Sequence, residues 1–198
     1  MPPLETLLAM AGFALAASAT PGPVNIIGAM TGARYGSGRA LRFVSGATAS
    51  FLALFLVFGT GILAGTGWIL AIARPMTVIG SVYLLWMAWS LLRDEGRIQG
   101  DEIRQAPGFW SGTVVQGLNP KAWLASVSSL STFVLPLEDR ATGLAVFALL
   151  FGAICWLSLA AWAWGGARIG HRQMRAFNRV MALILGLSVI WMLWASLA

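Results

Sequence analysis

The sequence predicts an all-α integral membrane protein of six transmembrane helices, an inverted three-plus-three repeat with helices one and four broken. Three observations predict this. Hydrophobic residues make up 58% of the 198 positions and charged residues only 10%, where a soluble domain carries roughly 25% charged. Apolar runs long enough to cross a bilayer, about 20 residues each, recur six times between short loops. Two of those runs carry helix-breaking prolines at matching places in the two halves.

Span one covers about Leu4–Met30. Ala17-Ser18-Ala19 has the spacing of a signal-peptidase site, but the preceding segment carries Glu5 and no Lys or Arg. A signal peptide has a positive start, so the segment is expected to stay as a span. A loop with Arg34, Arg39 and Arg42 follows. Span two is about Phe43–Ala64, and Gly65-Thr66-Gly67 turns into span three, about Trp68–Leu92, with Pro75 near its start. The loop from Arg93 to Phe109 mixes Arg93, Arg97 and Arg104 with Asp94, Glu95, Asp101 and Glu102. Span four is about Trp110–Leu135, closed by Pro136, Glu138, Asp139 and Arg140. Span five is about Gly143–Gly166. A basic loop with Arg168, His171, Arg172, Arg175 and Arg179 leads to span six, about Val180–Leu197. The chain then reads as one transmembrane domain over 1–198. Repeat one is about 1–92, a cytoplasmic linker about 93–109, and repeat two about 110–198.

Orientation follows from the basic residues. The odd loops hold ten arginines and the even loops two. The positive-inside rule puts the odd loops in the cytoplasm and both termini outside. Trp68, Trp191 and Trp194 then fall at the outer interface, and Trp89, Trp110, Trp162 and Trp164 at the inner one. Trp123 and Trp156 fit neither belt and are expected in the bundle interior or lining a pocket. The net charge of +6 sits in short juxtamembrane loops, so anionic lipid headgroups explain it better than nucleic acid.

The first break is Thr20-Pro21-Gly22-Pro23-Val24-Asn25. Proline donates no amide hydrogen and clashes one turn back, at a cost of about 3 kcal/mol in a helix interior. Two prolines around a glycine should unwind roughly a turn. In lipid the freed backbone groups need protein or water partners, so such a break packs inside protein or lines a cavity. The second break, Asn119-Pro120-Lys121, places Pro120 99 residues after Pro21, half the chain length of 198. Span one runs inward and span four outward. Both prolines lie about 15 Å from the cytoplasmic ends of their spans by helical rise, near the middle of a ~30 Å core. Interrupted helices so placed form the substrate site of inverted-repeat transporters.

Lys121 is the one ionisable residue expected deep in the core. It costs about 2.5–3.5 kcal/mol on insertion scales, so it should face the interior and pair with freed carbonyls or an anionic ligand. Gln116, Asn119, Ser126, Ser128 and Ser129 lie near it in sequence, and Ser18, Thr20 and Asn25 are polar on the facing break. Amides at a helix N-terminus suit a carboxylate and carbonyls at a C-terminus suit an ammonium, so a zwitterion such as an amino acid fits. The candidate substrate-binding residues are Thr20, Pro21, Gly22, Pro23, Asn25, Gln116, Asn119, Pro120 and Lys121. The bland alternatives are proline kinks without a site and a Lys121 that snorkels to an interface. Small-residue spacings such as Gly28/Gly32/Gly36 and Gly61/Gly65 read as close helix packing.

Ala19-Thr20-Pro21-Gly22-Pro23-Val24-Asn25 and Gly117-Leu118-Asn119-Pro120-Lys121-Ala122 resemble the signature breaks of the LysE/RhtB family of bacterial amino-acid exporters. The first loop, Gly32-Ala33-Arg34-Tyr35-Gly36 onward to Gly46, is similar to the same family, and length and span count agree. The resemblance implies efflux of an amino acid or derivative across the bacterial inner membrane, coupled to a proton or ion gradient. It also implies that Pro21, Gly22, Pro23, Asn25, Asn119, Pro120 and Lys121 shape the site. Proton-coupled transporters usually embed a carboxylate or histidine; here Glu5, Glu138 and Asp139 lie near outer ends. Lys121 is therefore the coupling candidate, unless coupling runs through the substrate.

Other classes fare worse. An intramembrane enzyme lacks a buried histidine or carboxylate pair, so no catalytic residue is assigned. One cysteine, Cys155, and one histidine leave no soft-metal cage, so no metal or cofactor is expected. Efflux of another small metabolite or cation, and a non-transporting assembly factor, are the alternatives carried forward. The expected partners are a small-molecule substrate and the lipid bilayer, with no nucleic acid; a homo-oligomer is compatible with the sequence. The lack of an acid near the breaks favours neutral amino acids over lysine or arginine.

Overall fold

Among the described residues the apolar runs fold into eight α-helices and one π-helical turn, with no strand. In this computed structural model the described residues are 1–64, 68–93, 106–169 and 173–197. The turn at Gly65-Thr66-Gly67, most of the loop from Arg93 to Phe109, and His171 lie outside them.

Span one is two helices, α1 (Leu4–Ala19) and α2 (Pro23–Tyr35), bent by 57°. Thr20, Pro21 and Gly22 between them are non-helical, about the single turn that two prolines should unwind. Pro23 starts α2 at its first turn, where a missing amide hydrogen costs nothing. Gly36, at φ +81°, turns the chain into α3 (Ser37–Leu63). This glycine serves a backbone conformation rather than the helix packing its spacing suggests. Pro75 lies inside α4 (Trp68–Arg93) without ending it.

Span four breaks where expected, between α5 (Phe109–Gly117) and α6 (Pro120–Ser129). Asn119 caps α6, its side-chain oxygen accepting the Lys121 amide at 3.1 Å, with Pro120 in the first turn. The span also holds a π turn, Leu130–Val134, closed by the Leu135 amide on the Leu130 carbonyl at 3.0 Å. No residue type announced that turn; such widenings recur at functional sites. Asp139 caps α7 (Arg140–Gly166) by accepting the Thr142 amide at 3.1 Å. Hydrogen bonds from the Thr142 side chain and amide hold its carboxyl below the ordinary aspartate range. α8 (Met174–Leu197) ends the described chain.

α3 and α7 are long and apolar enough to cross a membrane, and the bent α1–α2 pair makes a third such span if taken as one. Large apolar side chains point outward, Leu149 being 76% exposed and Leu187 67%, as lipid-facing positions allow. α7 is central, packing on α1, α2 and α3; α3 packs on α5 and α4 on α8. Phenylalanines fill the middle. Phe51 and Phe151 meet at 4.5 Å between ring centroids, and Phe13 of α1 meets Phe133 of the π turn at 5.7 Å.

Two helix pairs approach backbone to backbone. A Cβ on Gly32 would land on the Ala163 carbonyl, and one on Gly166 on the Ala29 carbonyl, closing α2 against α7. Gly46 faces the Phe109 carbonyl and Gly112 the Phe43 carbonyl in the same way, closing α3 against α5. These are small-residue seams of the kind that hold helices together in lipid. Gly32 behaves as its spacing suggested, while Gly28 makes only ordinary contact with Phe43.

Candidate functional site

The two breaks meet. Lys121 Nζ, at the start of α6, donates to the Thr20 carbonyl at 2.9 Å and to Thr20 Oγ1 at 2.8 Å. A residue 101 positions away in sequence thus completes the first break.

The freed backbone groups are paired by protein, as an interruption in lipid requires. The Ser18 carbonyl accepts from Asn25 Nδ2 at 2.7 Å, and the Ala19 carbonyl from Trp162 Nε1 at 3.0 Å. With Lys121 on Thr20, three successive carbonyls take partners from three different helices. The second break mirrors this. The Gly117 carbonyl accepts from Trp123 Nε1 at 2.8 Å, and Gly80 of α4 packs directly on the Leu118 carbonyl. Each break is therefore closed by one indole N–H. Trp123 is buried against Phe58, as an interior position requires, while Trp156 is half-buried at the edge of the core and donates to Ser45 Oγ at 3.2 Å. Trp162 bonds into the break instead of standing only in an interfacial belt.

Beside this junction is a narrow chamber of about 30 Å³. Ser18, Asn25, Gln116, Asn119, Lys121 and Cys155 supply its polar lining, and Phe51, Phe151 and Leu159 much of its apolar lining. Asn119 Nδ2 donates to Gln116 Oε1 at 2.9 Å, so Asn119 serves the cap and the wall together. Val24 and Asn25 begin α2, where amides have no carbonyl one turn back to bond, and both line the chamber. The first turn of α2 and Lys121 therefore border one small volume.

Asn25, Gln116, Asn119 and Lys121 line the chamber, and Thr20 holds Lys121. Gly22 touches the Lys121 chain: a Cβ there would sit 3.2 Å from both Cδ and Nζ. Pro23 and Pro120 are buried at their helix starts, while Pro21 is exposed and acts by ending α1. The serines after Lys121 do not join. Ser126 and Ser129 bond carbonyls of their own helix, and Ser128 is exposed. Phe51, Phe151 and Cys155 were not singled out from sequence. A cysteine mid-span reads as inert packing until its helix neighbours are known.

Interrupted helices joined at a polar chamber by an amino group are the arrangement expected of a transporter. The LysE type translocator family matches residues 15–194. The chain belongs to that family, so it is a membrane transporter and not an enzyme. The "Cysteine/O-acetylserine efflux protein" of Salmonella typhi is 29% identical over 194 residues, covering 90% of this chain and 91% of that protein. The protein of the same name from Escherichia coli O157:H7 is 27% identical over 184 residues, at 90% and 91% coverage. No solved structure matches the chain.

Proposed function

We propose that this chain is a secondary-active exporter of an amino acid or amino-acid derivative. It works by alternating access and is driven by the proton gradient. The observation that carries the reading is the pair of bonds from Lys121 Nζ to Thr20, which joins the two broken helices beside the chamber. The substrate carboxylate is held by the amides opening α2 and by Lys121. The substrate ammonium belongs on the carbonyls ending α1. Lys121 already occupies the Thr20 carbonyl, so substrate entry requires it to leave; the arriving carboxylate gives it a new partner. A chamber of about 30 Å³ has room for one or two waters. The helices must part for an amino acid, and alternating access supplies that motion.

The same proposal includes six spans, repeat one about 1–92, repeat two about 110–198 and both termini outside. The packing supports it. Span one packs on span five as span four packs on span two, while spans two and five, and three and six, pair across. That set is unchanged when the halves are exchanged. Arg93 stacks on Trp89 and Arg168 on Trp164, with Cζ 4.4 and 3.1 Å from the ring centroids. Both pairs sit at helix ends assigned to the cytoplasm, where basic and aromatic residues gather. The relatives' names make cysteine and O-acetylserine the first substrates to try.

Cells lacking their own exporters, loaded with an amino-acid panel, test the reading. Expression of the chain should speed efflux of a small neutral amino acid, and a protonophore should remove most of that gain. Unchanged efflux across the panel, with the protein present in the membrane, would contradict it.

A further inference from the structure

Most hydroxyls on these helices are spent on their own backbone. Thr20, Thr31, Thr60, Ser126 and Ser188 each donate to the carbonyl four residues back at 2.7–2.8 Å. Thr48, in the middle of α3, does not: its Oγ1 is buried with no well-formed hydrogen bond. Such a group is costly to leave unmet in a low-dielectric interior. Thr48 lies beside the thiol of Cys155 on α7, as does the hydroxyl of Ser18 on α1. Relative exposures are 7% for Ser18, 7% for Thr48 and 4% for Cys155. Three hydrogen-bonding side chains from three helices therefore converge in the interior, and two of them, Ser18 and Cys155, line the chamber that Lys121 enters.

We propose that Cys155, Thr48 and Ser18 form the subsite for the side chain of the exported amino acid, selecting one that is short, uncharged and able to hydrogen-bond. This rests on the reading of the chamber as the export site. The chemistry excludes the other classes. A cationic side chain would meet Lys121, and none of the chamber's described lining residues is a carboxylate to balance it. An anionic side chain would compete with the substrate carboxylate for Lys121. A long or branched apolar side chain would press on Phe51, Phe151 and Leu159 and leave the Thr48 hydroxyl unpaired. A hydroxyl, thiol or short ester bonds the Ser18 hydroxyl and the Cys155 thiol that line the chamber and, once the helices part, reaches the Thr48 hydroxyl behind them.

Cys155 is the chain's single cysteine, so a thiol reagent reports this subsite without mutation. In proteoliposomes of the full chain, modification of Cys155 by methyl methanethiosulfonate should slow by about tenfold when L-serine or O-acetyl-L-serine saturates the site. L-lysine should not slow it; the loss of one matched polar contact commonly discriminates by at least that factor. Cys155→Ala and Thr48→Val, which remove the polar group without adding bulk at Cys155 and with little change of shape at Thr48, should move preference in counterflow from serine toward alanine by about tenfold. Alanine transport by these variants shows that they fold. If the native chain exports an amino acid, yet serine gives no protection and the variants keep the native preference, the subsite is wrong and the export reading stands. If the native chain moves no amino acid, both fall.

Discussion

Replacing Lys121 by alanine should lower export by about 10–100-fold. A hydrogen bond to a charged group is worth about 1.5–3 kcal/mol, and every 1.4 kcal/mol is about tenfold. The variant loses the bonds that join the breaks at 2.8 and 2.9 Å and the cation that meets the substrate carboxylate. Arginine should rescue only in part. Its charge is kept, but its planar fork is larger, and Gly22 lies too close to the lysine chain for added bulk. Counterflow in proteoliposomes at matched protein amounts measures this, with and without a pH gradient. If alanine keeps full gradient-driven transport, Lys121 neither binds nor couples.

Gly112→Ala and Gly46→Ala should destabilise the fold by about 1–3 kcal/mol each, at the upper end of that range for an overpacked core. Each new methyl would meet a backbone carbonyl on the facing helix, of Phe43 or Phe109, and a backbone cannot rotate aside as a side chain can. Gly32→Ala and Gly166→Ala should act alike at the α2–α7 seam. Gly12→Ala and Gly186→Ala are the controls, with open space where the methyl would go; they should be neutral or slightly stabilising, since alanine is the better helix former. Thermal unfolding in detergent separates the groups. Equal melting temperatures for seam and control variants would show that the helices do not touch as described.

Much of this arrangement is legible in the sequence because its cause is covalent. A lone proline does not end a helix, as Pro75 inside α4 shows; the breaks come where Pro21-Gly22-Pro23 stacks two breakers around a glycine and where Asn119 stands ready to cap a helix that starts at Pro120. A lone lysine in an apolar run must find a partner, so the meeting of Lys121 with freed carbonyls could be expected. The identity of the partners could not. Trp162 reaches Ala19 across 143 residues, a fact of tertiary packing that no local pattern carries. Ser126 and Ser129 lie near Lys121 in sequence, but at helical spacing their hydroxyls are within reach of their own backbone, which they bond. Thr48 could equally have bonded its own helix, so its availability is visible only in three dimensions. The glycine seams were half visible: small residues suggest close approach, but Gly36 shows that the same spacing also serves a turn.

The two interruptions meet through one amino group, and that meeting can be observed directly. Lys121 is the only lysine in the sequence, so lysine labelled with nitrogen-15 at Nζ gives a single resonance in the membrane. Paired with threonine labelled at the carbonyl carbon, solid-state dipolar recoupling should report one short contact, since Lys121 Nζ lies 2.9 Å from the Thr20 carbonyl oxygen. Saturating amino-acid substrate should weaken that contact as the amine turns to the carboxylate. No short lysine–threonine contact in the substrate-free protein would mean that Lys121 does not join the two breaks.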